Sequence, residues 1–311
     1  MLNPELLKED MNESHTLNGG LTNASSLNDA YDLFVLSGSG KQSPQTLINL
    51  MHKIDDADLA PLVAYARDIK HGQGQRYNFR VMLQYLGNER PELAKKFFNA
   101  IPEIGRWDDM YSFVGTKVED DMFAFMREQF ARDYEAMQNG EPVSLLAKWL
   151  KSVNASSKKT RELGKKTARA FKMNDREYRK RLSKLRRHIG IVEQKMCEKN
   201  YAEINYEHVP SRAMMLYRRA FIRNDGDRFS DYVASVASGE KKVNASVLYP
   251  HDVVKHTLTL KNTDVSETLL DEMWKTLPAY PITEENTLVV VDVSGSMFWS
   301  GSHVMPIHAS V

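Results

Sequence analysis

Apolar residues recur three and four apart along most of the chain, the spacing that puts them on one face of an α-helix. Leu59, Leu62, Val63, Ala66 and Ile69 form one such stripe. Leu93, Phe97, Phe98 and Ile101 form a second, with Pro91 at a first helical position, where its missing N–H is not needed. Met122, Met126, Phe130, Tyr134 and Met137 form a third. The longest stripe runs through Tyr178, Leu182, Leu185, Ile189, Val192 and Met196. Asn174 stands before it as a cap, with Glu177 in the reciprocal capping position. Phe229, Tyr232, Val233 and Val236, then Val265, Leu269, Met273 and Trp274, complete the series.

This pattern predicts about ten helices joined by short loops. The expected architecture is mainly α, an array of antiparallel helix pairs resembling a solenoid, although no clean repeat period is visible. Residues 16–26 are rich in Asn, Gly, Ser and Thr and read as loop. Pro278, Pro281 and residues 283–286 read as a linker, which places a boundary near residue 280. The expected domains are 1–280, helical, and 281–311, where the pattern changes. There the run LVVVDV at 288–293 reads as a strand buried on both faces of a parallel sheet.

The chain of 311 residues is long enough for one or two domains. Its 42% apolar and 27% charged residues fit a soluble protein, and no stretch approaches the roughly 20 apolar residues of a membrane span. The N-terminal residues lack the basic and apolar regions of a secretory signal. Cys197 is the single cysteine, so no internal disulfide forms and no thiolate-rich zinc module is possible. A cytoplasmic location is expected.

The net charge of +1 conceals segregation. Residues 148–187 hold sixteen Lys and Arg against Glu162, Asp175 and Glu177, a local charge of +13 against −12 elsewhere. Such a block points to a polyanionic partner. Lys158, Lys159, Arg161, Lys165, Lys166 and Arg169 recur along one predicted helix. Arg179, Lys180, Arg181, Lys184, Arg186 and Arg187 are expected on the solvent faces of the next. Paired basic helices neutralise phosphates and release counterions, giving salt-sensitive affinity with little sequence preference. Arginine adds bidentate phosphate contacts and stacking on unpaired bases. The competing reading is a solvated surface paired with acids such as Glu119, Asp120 and Asp121.

Other motifs carry candidate chemistry. In HGQGQR (71–76), Gly72 and Gly74 could offer backbone N–H groups to a phosphate beside Arg76, or simply make a turn between helices. SGSGKQ (37–42) lacks the hydroxyl after Lys that a phosphate-binding P-loop needs. Arg106–Trp107–Asp108–Asp109 reads as a buried Trp with an Arg–Asp pair at a helix start, or as a functional patch. His251–Asp252 after Pro250 reads as a helix cap, and His188, His208 and His251 lack metal-ligand spacing. In DVSGS, Asp292, Ser294 and Ser296 lie beyond the carboxyl end of the expected strand, where α/β sheets place ligands. One carboxylate and two hydroxyls suit a hard cation such as Mg²⁺. A nucleophilic serine is disfavoured, because Asp292 stands where the elbow's first Gly belongs. No catalytic constellation is visible, so the chain is not expected to be an enzyme.

The stretches YARDIKHGQGQR (65–76), IPEIGRWDDM (101–110), SLLAKWLKSVNASSKKTRELGKK (144–166), NDREYRKRLSKLRRHIGIVEQKM (174–196), VPSRAMMLYRRAF (209–221) and LYPHDVV (248–254) precede the Asp-x-Ser-Gly-Ser motif. In this order they resemble the TROVE-plus-von Willebrand factor A architecture of Ro-type RNA-binding proteins. The closest resemblance is to a branch of bacterial and phage proteins, domain of unknown function 2828. The resemblance implies a ring of HEAT-like helical pairs whose basic surfaces hold small structured or misfolded RNA and whose hole admits single-stranded ends. It also implies a metal-ion-dependent adhesion site, with Ser294 and Ser296 as direct ligands and Asp292 acting through water. The Thr and second Asp of that site, and the later strands of an A domain, have no counterpart here, so the A domain is expected to be truncated. The expected function is an RNA-binding ribonucleoprotein scaffold. The alternatives are a metal-dependent contact to a protein partner through the A domain, or a truncated remnant without function.

Overall fold

The computed structural model describes residues 12–298, except 17, 246, 259–262, 279–287 and 289. It is mainly helical, as the apolar spacing predicts. A hairpin of β1 (Glu13–His15) and β2 (Leu21–Asn23) comes first, with Glu13 opposite Asn23. This corrects the loop expected at 16–26. The strands carry no apolar alternation, and their order comes from polar bonds: Asn12 donates to the Ser25 carbonyl at 2.7 Å and accepts from the Ser25 amide at 2.8 Å.

Helices α1 (Asp29–Gly38), α2 (Pro44–Lys53), α3 (Asp56–Arg67), α4 (Tyr77–Glu89) and α5 (Pro91–Ile104) follow. Their starts obey local chemistry. The side chains of Asn28 and Asp55 accept from amides three residues on, and Pro44 and Pro91 open α2 and α5. A 3-10 helix (Trp107–Phe113) leads to α6 (Glu119–Gln138), the short α7 (Leu146–Trp149), α8 (Lys158–Ala170) and α9 (Asp175–Ile189). Leu59, Val63, Leu93, Phe97, Ile101, Met122, Phe130, Tyr178 and Leu185 enter one continuous core. Ile69 does not, because α3 ends at Arg67 and leaves it exposed.

The chain divides into two compact units after Ile189. The longest predicted stripe is broken at the same place: Gly190 adopts φ +68°, and a separate short α10 (Val192–Cys197) begins beyond it. A left-handed glycine is a common helix stop, and apolar spacing alone carries no trace of it. The second unit contains α11 (Ser211–Asn224), α12 (Gly226–Ala237), α13 (Pro250–Thr257) and α14 (Asp264–Lys275) around Met214, Phe221, Phe229, Val233, Leu269 and Met273. Trp274, one position off that stripe, is exposed. Asp252 accepts from the Tyr249 amide at 3.2 Å, so the expected cap is formed.

The residues around the expected boundary near 280, including Pro281 and 283–286, lie outside the described residues. Within the expected strand, Leu288, Val290, Asp292 and Val293 are exposed and have no strand partner; among the described residues the hairpin is the only sheet. This corrects the buried strand: an apolar run becomes one only when neighbouring strands supply partners for its N–H and C=O groups.

Candidate nucleic-acid interface

Helices α8 and α9 pack beside each other and turn small or apolar residues inward. Ser157 caps α8 by accepting from the Thr160 amide at 3.4 Å, and Asn174 accepts from the Glu177 amide at 2.9 Å. On α8, Gly164, Thr167 and Ala168 are buried. A Cβ at Gly164 would stand 2.5 Å from the Ser152 carbonyl oxygen, so only glycine permits this approach. On α9, Tyr178, Leu182 and Leu185 are buried.

With those faces fixed, helical geometry turns most of the cations outward. Lys158, Arg161, Lys165 and Arg169 fall at spacings of three and four along one side of α8, while Lys159 and Lys166 line a neighbouring cavity. Lys180, Lys184 and Arg187 align on α9 beside Arg179, all exposed.

The competing reading, neutralisation by acids, applies to part of this set. Lys166 pairs with Glu119 at 2.5 Å, and Arg181 pairs with Glu177 at 2.7 Å while lying 4.9 Å from the Tyr134 ring centre. Asp121 goes to Lys95 instead, at 3.1 Å. Lys158, Lys159, Lys165, Arg169, Arg179, Lys180 and Lys184 make no ion pair among the described residues.

Arg186 departs from the expected solvent face. It turns inward, donating to the carbonyls of Ala147 at 2.9 Å and Leu150 at 2.8 Å and to Ser152 Oγ at 3.0 Å. Charge alone does not distinguish a structural arginine from a phosphate ligand; its position beside the buried Leu182–Leu185 stripe is the available sequence signal.

Residues 150–152 thus lie clasped between α8 and α9. Tyr178 donates to the Lys151 carbonyl at 3.0 Å, and the Lys151 amide donates to Tyr111 Oη at 3.2 Å. The Lys151 side chain is thereby directed over the Tyr111 ring, 5.4 Å from its centre, and toward Asp108. Burial pushes the Tyr111 phenol up to about 12, so it remains a neutral donor and acceptor.

Asp108 anchors a cluster that sequence reading divides among unrelated motifs. Arg106 grips it with Nε and Nη2, each at 2.9 Å. Arg76 Nη2 reaches Oδ2 at 2.7 Å, Arg80 Nη2 stands 3.0 Å from the same oxygen, and Lys151 Nζ stands 3.8 Å away. Beside it, Asp109 takes Arg67 Nε at 2.9 Å and Arg80 Nε at 2.7 Å. Burial alone would raise the Asp108 pKa; the Arg106 hydrogen bonds and the charges of Arg106, Arg76 and Arg80 outweigh it and hold the carboxyl down to about 2. Lys151 is shifted down, by burial first and then by repulsion from the arginines, against the pull of Asp108. Trp107 is buried as expected, and the Arg106 guanidinium stands over Trp149, 3.9 Å from a ring centre.

The HGQGQR segment makes the turn between α3 and α4. Gly74 spends its amide on the Asp68 carbonyl at 3.1 Å, and Gln73 and Gln75 donate back to Tyr65 and Ala66. The amide of Gly74 is therefore committed to the turn, and the segment's contribution to the charged surface is Arg76.

In the Asp-Ser-Gly-Ser turn, Asp292 Oδ1 accepts from the Ser294 amide at 2.8 Å, which lowers its pKa, and the hydroxyls of Ser294 and Ser296 are 3.0 Å apart. All three are exposed. The two hydroxyls stand together, but even with the carboxylate three donors fill only half of a six-oxygen Mg²⁺ shell. Among the described residues, no group of three or more His, Cys, Asp or Glu could hold a metal, and no helix is long and apolar enough to cross a membrane.

Residues 143–280 match the family model described as Domain of unknown function (DUF2828). The matched segment includes α8, α9 and Lys151. An uncharacterized protein, L728, from Acanthamoeba polyphaga mimivirus is 25% identical over 302 aligned positions, covering 83% of this chain. The chain spans about half the length of that relative, 50% of it being aligned. No solved structure matches the chain significantly.

Proposed function

We propose that the chain is an RNA-binding scaffold of the Ro ribonucleoprotein type, holding small structured or misfolded RNA on the outer faces of α8 and α9. The observation that carries this reading is the set of seven lysines and arginines on these two adjacent helices without an ion-pair partner among the described residues. A surface of this kind binds polyphosphates through counterion release and reads shape rather than base identity. The TROVE-like order of motifs supports the same reading, with the helical body as the TROVE-like part.

Fluorescence anisotropy with a labelled stem–loop RNA tests it. Binding should be strong at low salt, weaken steeply at moderate salt, and fall when Lys165 and Lys184 are both changed to Glu. Unchanged retention in that variant would refute the proposal.

A second reading has its own observation, the paired hydroxyls of Ser294 and Ser296. These residues would contribute to a Mg²⁺-dependent protein contact. Capture of a protein partner that requires Mg²⁺, and is lost in Ser294→Ala, would support it over RNA holding; capture indifferent to both would dismiss it.

A further inference from the structure

Four cations crowd one carboxylate oxygen. Arg76, Arg80, Arg106 and Lys151 all stand within 3.8 Å of Asp108 Oδ2. Asp109 is itself occupied by Arg67, whose side chain is only 4% exposed. Five cations therefore share two carboxylates, and the excess charge of three has no further acid paired with it among the described residues. A structural ion-pair network generally approaches neutrality, because each uncompensated buried charge is destabilising.

The surplus is also accessible. The side chains of Arg76, Arg80, Arg106 and Lys151 are 27–44% exposed, while the carboxylate beneath them is 4% exposed. Arg80 Nη2 is shielded from water and, despite its closeness to Asp108, makes no hydrogen bond of good geometry among the described residues. A donor of this kind ordinarily has a partner. Arg80 and Tyr111 also line a cavity of about 930 Å³, together with Tyr77, Lys159 and Lys166. That volume is in the range of small-ligand sites, and Tyr77 offers a ring on which a base could stack. Glu89 and Glu162 also border the cavity but form no ion pair with these cations among the described residues.

We infer that Arg76, Arg80, Arg106 and Lys151 form a binding site for a phosphate monoester, with the attached nucleoside in the adjoining cavity. A monoester carries nearly two negative charges and three strong acceptor oxygens at neutral pH, matching the surplus and the forked donors of the arginines. The chemistry is supplied either by the terminal phosphate of an RNA strand or by a free nucleotide. The strand-end source rests on the RNA reading above; the nucleotide source does not. The site differs from the α8–α9 surface in kind, since it selects a dianionic end rather than a run of diesters.

The test uses the full chain and three probes: a single-stranded oligoribonucleotide with a 5′-phosphate, the same strand with a 5′-hydroxyl, and adenosine 5′-monophosphate. Anisotropy should show the phosphorylated strand binding about tenfold tighter or more, the scale of one added charge-assisted contact. Lys151→Met and Arg76→Gln should each abolish that difference. Two variants are used so that a folding defect in one, read from its melting temperature, does not decide the matter. If adenosine monophosphate binds by calorimetry and loses affinity in both variants while strand ends make no difference, the site stands with a free nucleotide as its ligand. If neither a phosphorylated end nor adenosine monophosphate gains anything over its control, the inference is overturned. The α8–α9 proposal would survive that result, because it is read from the 5′-hydroxyl strand.

Discussion

Tyr178 on α9 donates its hydroxyl hydrogen to the carbonyl of Lys151 at 3.0 Å. One hydrogen bond thus joins the basic helix to the lysine that faces Asp108. The phenol is fully buried among Phe130 and Phe171 and its pKa lies well above the ordinary value, through burial first, so it stays a donor at any physiological pH. Tyr178→Phe leaves the ring packing and removes this bond. It should cost about 1 kcal/mol, the usual net value of one such bond, read as a lower urea midpoint with unchanged slope.

Arg186→Met should separate structural from outward-facing cations. It removes donors to Ala147, Leu150 and Ser152, and two of the acceptors are backbone carbonyls. A loss of about 2–4 kcal/mol is expected. Lys184→Met, on the exposed side of the same helix, should stay within about 0.5 kcal/mol of the parent. Equal stability of the two variants in chemical denaturation would contradict the inward placement of Arg186.

Gly164→Ala tests the close approach of α8 to Ser152. The added carbon would meet the Ser152 carbonyl oxygen at 2.5 Å, and backbone does not give way as a flexible side chain does. Alanine normally favours a helix interior by about 1 kcal/mol over glycine. Here the clash should reverse the sign, giving a net loss of about 1–3 kcal/mol by thermal or urea unfolding.

Asp108 sets an acid limb to stability. Its folded pKa is held down to about 2 from an ordinary 3.8. A depressed carboxyl contributes stability that is complete above the unfolded value and is lost as pH falls from about 4 toward 2, because the unfolded chain then binds the proton first. The contribution is about 2 kcal/mol. Urea midpoints measured between about pH 5 and pH 2.5 should fall for the parent. Asp108→Asn should be less stable throughout, since four neighbouring cations lose their shared anion, and flatter across that interval.

Local pattern revealed the body of the fold, for physical reasons that particular residues make plain. Stripes such as Met122–Met126–Phe130 are written at helical spacing and are buried together. Asn174 and Asp252 act on amides three residues away or fewer, so their caps were legible too. The break at Gly190 was not, because Ile189 and Val192 keep helical spacing across a left-handed residue. The hairpin at 13–23 leaves no such signal, because its strands are polar and short.

The charged site was legible in one part only. The basic window appears in composition, and Arg76 stands out beside its glycines. Arg67, Arg80 and Lys151 carry no such local mark, because they meet Asp108 and Asp109 from three elements distant along the chain. Spacing along a helix encodes which face a side chain takes; it does not encode which distant carboxylate it will find.

The outer cations of α8 and α9 are proposed to hold RNA by phosphate neutralisation. The direct measurement is the slope of log affinity against log salt for a single-stranded RNA. It should be compared between the parent and a variant with Lys158, Lys165, Lys180 and Lys184 all changed to Gln. Each phosphate contact on a single strand contributes about 0.7 to the slope. The variant slope should be shallower by about 2–3, with the melting temperature unchanged. Parallel slopes in a fully folded variant would contradict it.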